Sequence, residues 1–167
     1  MPFRRLVLAL LIVLPMLGAA PLAAAPEGSG LPVPRFVSLR ADKANLRTGP
    51  GEQYPIRWVY ERPGLPLEIL AEYYNWRRVR DWQGGEGWMH SSVLTGRRYA
   101  VITGGMQTVR VKADPVSSPV ARAETGVIAR LLQCPTSKGW CQVEVKGIKG
   151  WLPRDVLWGV YPDEVLD

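Results

Sequence analysis

The sequence predicts an all-β protein composed of two tandem small β-barrels that follow a signal peptide. Two observations support this fold class. No window of about a dozen residues carries apolar side chains at the i, i+3, i+4 and i+7 spacing of a helix, whereas turn-forming residues recur throughout a chain with 17 Gly and 15 Pro. In addition, the second half of the chain repeats landmarks of the first half in the same order.

The first 25 residues have the layout of a targeting segment. Two arginines precede the apolar run 6–14, and small residues follow it, with possible cleavage sites after Ala20 and Ala25. This layout is typical of a secretory signal peptide. An uncleaved membrane anchor is the alternative, but the run is shorter than the roughly 20 apolar residues of a spanning helix. We therefore expect a periplasmic or secreted protein with no stable membrane span after cleavage.

The net charge argues against one class of partner. The whole chain has a formal charge of +6 at pH 7, and residues 1–25 contain two Arg and no acidic residue, so cleavage leaves about +4. This modest excess is not the footprint of a nucleic-acid-binding protein. Residues 26–35 contain several Pro and Gly and no apolar period, and they are predicted to form a flexible lead-in.

The two cysteines, Cys134 and Cys141, are predicted to form a disulfide, because an exported chain meets an oxidising compartment. The flanking segments RLLQC and CQVEV resemble two strands joined by a turn, so the bridge would cross a hairpin. The C-x6-C spacing differs from the redox motif C-x-x-C, and the single His leaves a zinc site short of ligands. We expect neither a metal nor another cofactor.

Short strands separated by turns are predicted across the first half of the chain. The turn segments are ERPGLP, EYYN and QGGEG, and the candidate strands between them are 57–60, 67–72, 77–82 and 87–90. Before them, the stretch ANLRTGPGEQYP (residues 44–55) leaves a strand at Leu46 and opens a long loop. Its Gly49-Pro50-Gly51 core is predicted to be a tight reversal in which glycine is free to take a positive φ.

An internal repeat organises the chain. GWMHSSVL (residues 87–94) matches GWLPRDVL (residues 150–157), and a tryptophan precedes each match: Trp76 lies eleven residues before the first, and Trp140 ten residues before the second. The same landmarks in the same order indicate two copies of one unit of about 60 residues, a size that folds alone only marginally.

The repeat sets the expected domain boundaries. We expect the first unit over residues 36–96, the second over 99–161, and a tail over 162–167. Almost no linker separates the units, so the two barrels are expected to touch. The second unit has Asp114-Pro115-Val116 where the first has the Gly-Pro-Gly turn, and it carries the two cysteines.

These segments resemble a known family, the bacterial SH3-like domains of exported proteins. The resemblance rests on ANLRTGPGEQYPI, LEILAEYYNWRRVR and GEGWMHSSVL, and more loosely on GWLPRDVL and Trp140. It implies a small barrel of five or six strands in each unit, with residues 44–55 forming the first strand and the start of its long loop. In this family catalysis normally comes from a separate hydrolase domain, for which this chain has no room.

Strand alternation divides the aromatic residues from the core. It places Trp76 and Arg78 on one side of their strand and Val79 on the other, and it likewise directs Trp88 outward and Met89 inward. The outward rings either form shallow recognition grooves or cover the barrel ends and the barrel interface. Arg47 either contacts a ligand or packs its stem over a ring. The candidate ligand-binding residues are Arg47, Tyr54, Trp76, Arg78, Trp88, Trp140 and Trp151.

No catalytic constellation is expected. His90 is the only His, and Ser91 and Ser92 lie beside it only in sequence. Paired cysteines are not nucleophiles. Four acidic residues close to arginines are predicted to form surface ion pairs of low value: Glu68, Glu72, Asp81 and Glu86.

The combined expectation is an exported, non-catalytic binding module of the bacterial cell envelope. The resemblance, together with the aromatic and basic residues, implies recognition of peptidoglycan or another cell-wall component, glycan or peptide. The alternative is a protein–protein adaptor or regulator of an envelope enzyme that uses the same grooves. A small hydrolase would instead require an activity that is sensitive to His90→Ala.

Overall fold

The chain folds into two β-barrels of seven strands each, in a computed structural model that describes residues 28–135 and 139–167. This architecture confirms the predicted all-β class and the tandem arrangement. The predicted signal peptide, residues 1–25, lies outside the described residues.

The first barrel is an antiparallel sheet with the order β3-β2-β6-β5-β4-β1-β7. A single 3₁₀ turn, Ser91–Val93, joins β6 to β7. The predicted strands are present, with ends shifted by one or two residues. The strands are β1 (Arg35–Leu39), β2 (Ala44–Arg47), β3 (Ile56–Tyr60), β4 (Pro66–Tyr73), β5 (Trp76–Arg80), β6 (Glu86–His90) and β7 (Leu94–Thr95).

The second barrel repeats this order strand for strand, as β10-β9-β13-β12-β11-β8-β14. A second 3₁₀ turn, Arg154–Val156, occupies the position equivalent to the first. The strands are β8 (Tyr99–Ile102), β9 (Gln107–Arg110), β10 (Pro119–Ala123), β11 (Ile128–Gln133), β12 (Trp140–Val145), β13 (Ile148–Pro153) and β14 (Leu157–Trp158).

Each barrel buries the residues that alternation predicts. Val79 of β5 and Met89 of β6 are fully buried in the first barrel, and Val143 and Leu152 occupy the equivalent core positions in the second. The first core also includes Val101 of β8, a residue of the second barrel. The two apolar cores are therefore continuous across the boundary.

The two barrels touch, as the short connection predicts. Phe36 of β1 packs edge-on against Trp158 of β14, with ring centroids 5.0 Å apart, and lies 4.7 Å from the ring of Tyr161. The Tyr161 hydroxyl donates a hydrogen bond of 2.9 Å to Oε1 of Glu68 on β4. Aromatic packing and a hydrogen bond thus join the second barrel to the first.

The prediction of low-value surface pairs is wrong for Glu68 and Asp81, because both side chains are buried. It is also wrong for Glu72, whose side chain is only 9% exposed and pairs with Arg35 and Arg77. Glu68 accepts a 3.1 Å bond from Nε of Arg80 as well as the bond from Tyr161. Alternation within a single strand places Glu68 on the outer side of the first barrel. The second barrel covers that side, and this could not be anticipated from one repeat alone.

The disulfide prediction is confirmed. Cys134 and Cys141 are bonded to each other across the β11–β12 hairpin. The backbone amide of Cys134 also donates a 2.7 Å hydrogen bond to the carbonyl of Leu166. The bridge therefore lies where the C-terminal residues meet the second barrel.

Residues on both sides of the barrel pair are tied to it by buried or half-buried polar groups. In the segment predicted as a lead-in, Ser29 donates hydrogen bonds to the Glu72 carboxylate, and Arg35 forms an ion pair with the same carboxylate. In the segment after β14, Glu164 accepts a 3.0 Å bond from Nη2 of Arg98. Both ends of the described chain therefore contact strands of the barrels.

The Glu72 carboxylate is expected to make the attachment of residues 28–34 dependent on pH. Burial alone would raise the pKa of Glu72, but bonds from Ser29 and Arg35 outweigh burial and lower the pKa from 4.5 to about 2. Since the folded-state pKa is the lower one, this stabilisation is complete above about pH 4.5 and is lost as the pH falls toward 2. An NMR titration of the Glu72 carboxyl carbon measures the midpoint. Ser29→Ala should move it upward, and a wild-type midpoint near 4.5 would contradict the prediction.

Candidate functional site

A strip of aromatic and basic side chains lies on the outer side of the first barrel. In the β5–β6 ladder, Trp76 is opposite His90 and Arg78 is opposite Trp88, and Arg47 of β2 is opposite Trp88 on the other side of β6. Residues directly opposite each other share a face of the sheet. We call this strip, formed by Arg47, Trp76, Arg78, Trp88 and His90, the Trp88 face.

Arg47 holds the long loop that follows β2. Its Nη1 donates hydrogen bonds to the carbonyls of Glu52 at 2.9 Å and Tyr54 at 2.8 Å. The second barrel repeats the arrangement, because Arg110 lies opposite Trp151 and donates a 2.6 Å bond to the Ser117 carbonyl. The guanidinium of Arg47 is therefore occupied by the loop backbone, and it positions Tyr54 beside the Trp88 face.

The prediction that glycine takes a positive φ in the turn Gly49-Pro50-Gly51 is wrong. Neither Gly49 nor Gly51 has a positive φ. Gly49 is required for a different reason: a Cβ at this position would lie 2.4 Å from Cδ1 of Tyr54, so the ring can pack over the loop only if residue 49 has no side chain. The loop is closed by a 3.0 Å bond from the Thr48 amide to the Pro55 carbonyl.

The accessible groups are the guanidinium of Arg78, on the Trp88 face, and the aromatic ring of Tyr54 beside it. Tyr54 is 39% exposed, and Arg78 is exposed although its Nη2 lies 2.7 Å from Oε2 of Glu86. Trp76 and Trp88 are half-buried, and the Trp76 ring packs edge-on against His90 at 5.4 Å. The two indoles thus form a partly covered base, and the exposed groups around it are the Tyr54 ring and the Arg78 guanidinium.

In the second barrel, Trp140 and Trp151 occupy the equivalent face. Trp140 lies opposite Pro153, where the first barrel has Trp76 opposite His90, and Trp151 lies opposite Gln142, where the first barrel has Trp88 opposite Arg78. Both indoles are half-buried. The seven predicted binding residues therefore divide between two barrels, with Arg47, Tyr54, Trp76, Arg78 and Trp88 on the first and Trp140 and Trp151 on the second.

A second candidate site on the first barrel is a cleft of about 320 Å³ beside the edge strand β3. Trp58 lines it and is 62% exposed. We call it the Trp58 cleft. The lining residues that concern its chemistry are Leu46, Arg57, Trp58, Tyr60, Gln83 and Glu86.

Asp81 fixes one wall of the Trp58 cleft. Its carboxylate accepts hydrogen bonds from the Tyr60 hydroxyl at 2.6 Å and from the amides of Gln83 at 2.9 Å and Gly85 at 2.7 Å. Burial, followed by the hydrogen bond to Asp81, raises the pKa of Tyr60 well above its usual value, so the hydroxyl stays protonated and continues to donate. The β5–β6 connection is therefore tied to the end of β3.

Comparison with known families gives a direct assignment. The family model of the bacterial SH3 domain matches residues 40–96 and again residues 103–159. The chain belongs to the bacterial SH3 domain family. Each match covers six of the seven strands of one barrel and leaves out its first strand, β1 or β8, so each barrel is one bacterial SH3 domain.

The solved structures that match the chain are distant from it in sequence and in structure. NlpC1 from Trichomonas vaginalis is 12% identical with a TM-score of 0.35, and the match covers 84% of this chain and 51% of that one. NlpC2 from the same organism is 11% identical with a TM-score of 0.34, over 75% of this chain and 48% of that one. The matched regions are about half the length of these two proteins. No curated protein matches the chain.

His90 of the first bacterial SH3 domain contacts Ser92 in space as well as in sequence, which corrects the sequence-based expectation. Its Nδ1 lies 2.7 Å from the Ser92 hydroxyl oxygen and accepts a 3.3 Å bond from the Ser92 amide. This second bond caps the N-terminus of the 3₁₀ turn. The imidazole therefore stabilises the turn between β6 and β7.

The described residues of the SH3 domain pair lack two features, a metal-binding cluster and a membrane-spanning helix. Across residues 28–135 and 139–167, no group of three or more His, Cys, Asp or Glu side chains is arranged to hold a metal ion. Over the same ranges, no helix has the length and apolar character of a membrane span.

Trp58 is the residue that sequence reasoning missed. Its strand was predicted, but alternation alone assigns Trp58 to the core side with its partner Leu46. Because β3 lies at the edge of the sheet, this side is open to solvent at Trp58. Comparing equivalent positions of the two bacterial SH3 domains distinguishes Trp58 from a core residue. The second domain has the small Ala121 opposite Val109 where the first has Trp58 opposite Leu46, so the fold does not need a large side chain there.

Proposed function

We propose that this protein is an exported, non-catalytic binding module of the bacterial cell envelope that recognises peptidoglycan through the Trp88 face of its first SH3 domain. The observation that carries the proposal is the placement of two half-buried indoles, the exposed Arg78 and the exposed Tyr54 ring around one surface. Large rings that stay partly exposed are favoured in recognition sites.

The chemistry of this face suits a cell-wall ligand. Aromatic rings stack on the apolar faces of sugar rings, and a guanidinium attracts the carboxylates of peptide stems. Arg78 already shares its charge with Glu86, so a ligand carboxylate competes with a surface ion pair of low stability rather than with a buried one. The disulfide and the predicted signal peptide support a location outside the cytoplasm.

Binding without catalysis is supported by the state of the His–Ser pair. The His90 ring accepts the amide hydrogen bond that caps a 3₁₀ turn, which gives the pair a structural role. A chain that acts by binding alone is expected to leave its ligand chemically unchanged.

Co-sedimentation with purified peptidoglycan sacculi tests the proposal. The chain without residues 1–25 should be retained at moderate salt, and Arg78→Ala and Tyr54→Ala should each weaken retention about tenfold, because they remove the accessible charge and ring. Gln142→Ala, at the position equivalent to Arg78 in the second domain, is the matched control and should retain wild-type binding.

The same experiment separates the proposal from the adaptor alternative. Failure of sacculi to retain the wild-type chain would contradict peptidoglycan recognition and favour a protein partner in the envelope. Retention that is unchanged in Arg78→Ala and Tyr54→Ala would leave peptidoglycan binding in place but contradict its assignment to the Trp88 face.

A further inference from the structure

We propose that the Trp58 cleft binds one pyranose ring of an oligosaccharide, stacked on the exposed face of Trp58. This inference rests on the proposed function, because it names glycan as one ligand of the envelope-binding module. None of the predicted binding residues lines the cleft, and Trp58 shares its side of the sheet with Leu46 rather than with the Trp88 face. The two sites adjoin at Glu86, which lines the cleft and pairs with Arg78.

Leaving the large Trp58 ring exposed to water is costly. Its side chain is 62% exposed on the edge strand β3, beside a cleft of about 320 Å³. A large aromatic ring held at the mouth of a concave site is favoured where it contacts a ligand. Below it, the buried side chains of Leu46 and Tyr60 provide an apolar base.

A mixture of polar groups surrounds the Trp58 ring. Arg57 offers donors, Glu86 offers the carboxylate oxygen that does not pair with Arg78, and the exposed Gln83 offers both donors and acceptors. A pyranose ring needs this combination, because it presents an apolar face of C–H groups and an edge of hydroxyls that both donate and accept. A purely apolar peptide side chain would offer no hydrogen-bond partner to these rim groups.

The second SH3 domain lacks the residues that build the Trp58 cleft in the first. In the matching register, the second domain has Ala121, Ala123 and Val145 where the first has Trp58, Tyr60 and Asp81. The second domain nevertheless forms a sheet with the same strand order. The fold therefore does not require the residues that build the Trp58 cleft.

The loop next to the cleft shows the same difference. In the second domain, Lys146 and Gly147 join β12 to β13 with φ values of +48° and +83°, the left-handed pair of a tight hairpin turn. In the first domain, the longer connection between β5 and β6 carries Gln83 and is fastened to β3 through Asp81 and Tyr60. The additional length thus supplies a rim residue of the cleft.

An NMR titration with chitotetraose tests the proposal, because this probe presents N-acetylated, β-1,4-linked pyranose rings without any peptide. Saturable shifts should appear at the indole N–H of Trp58. Trp58→Ala and Gln83→Ala should weaken binding, by at least about tenfold for the ring and by a few-fold for the amide. Val59→Ala is the matched control, since Val59 is exposed on the same strand but faces the other side, and it should bind like wild type.

Three results would overturn the proposal: no saturable shift in the wild type, equal affinity in wild type and Trp58→Ala, or shifts of Trp58 produced by tetra-alanine and not by chitotetraose. Sacculus retention, measured in parallel, separates this failure from failure of the proposed function. If sacculi retain the wild type and Trp58→Ala equally while chitotetraose does not bind, envelope binding stands and the saccharide cleft falls.

Discussion

Replacing Phe36 with alanine is expected to lower the free energy of unfolding by about 3–5 kcal/mol, the usual cost of truncating a buried aromatic ring. Phe36 is only 8% exposed, and its ring contacts Trp158 and Tyr161 of the second domain. The cavity would open at the junction of the domains, where neither domain can collapse alone to fill it. Urea unfolding monitored by tryptophan fluorescence measures the loss.

Trp58→Ala is the matched control for this prediction, because it removes a larger ring from an exposed position. Its effect on the free energy of unfolding is expected to stay within about 1 kcal/mol, as for most surface substitutions. A loss below about 1 kcal/mol for Phe36→Ala would show that the aromatic contact between the domains is not formed in solution.

Replacing Arg154 with alanine is expected to lower the free energy of unfolding by about 3 kcal/mol. Arg154 is 7% exposed, and its Nη1 donates to the carbonyls of Tyr161 at 3.0 Å, Pro162 at 2.8 Å and Glu164 at 2.7 Å. Its Nη2 donates at 3.1 Å to the carbonyl of Cys134. A hydrogen bond that involves a charged group makes a net contribution of about 1.5–3 kcal/mol to stability, and several carbonyls would lose their donor together.

Thermal unfolding and amide exchange of the C-terminal residues measure this second effect. The amide of Leu166, which bonds to the Cys134 carbonyl, should lose protection in Arg154→Ala. Arg122→Ala is the control, because Arg122 is an exposed arginine on the edge strand β10. Unchanged protection of Leu166 would contradict the role assigned to Arg154.

Much of the fold could be predicted from the sequence because each strand obeys a local rule. Alternation identifies Val79 and Met89 as core residues, and the turn residues delimit strands to within two positions. The repeat indicates two barrels in contact. It does not indicate which outer surfaces they cover, and for this reason the burial of Glu68 was missed.

The candidate site could be predicted only in part. The sequence places Trp76, Arg78 and Trp88 on the outer face because strand alternation puts each of them on the side opposite a core residue. It does not reveal that Arg47 is occupied by the carbonyls of Glu52 and Tyr54, since a loop conformation depends on contacts such as that of Tyr54 with Gly49.

The continuity of the two cores through Val101 has a practical consequence for dissecting the protein. Separating the two domains would expose Val101 and Phe36 to water, so each half would present an exposed apolar patch. Truncated halves are then expected to aggregate, which would obscure whatever either half binds. The binding residues are therefore better mapped by point substitutions in a chain that contains both domains than by deletion of either domain.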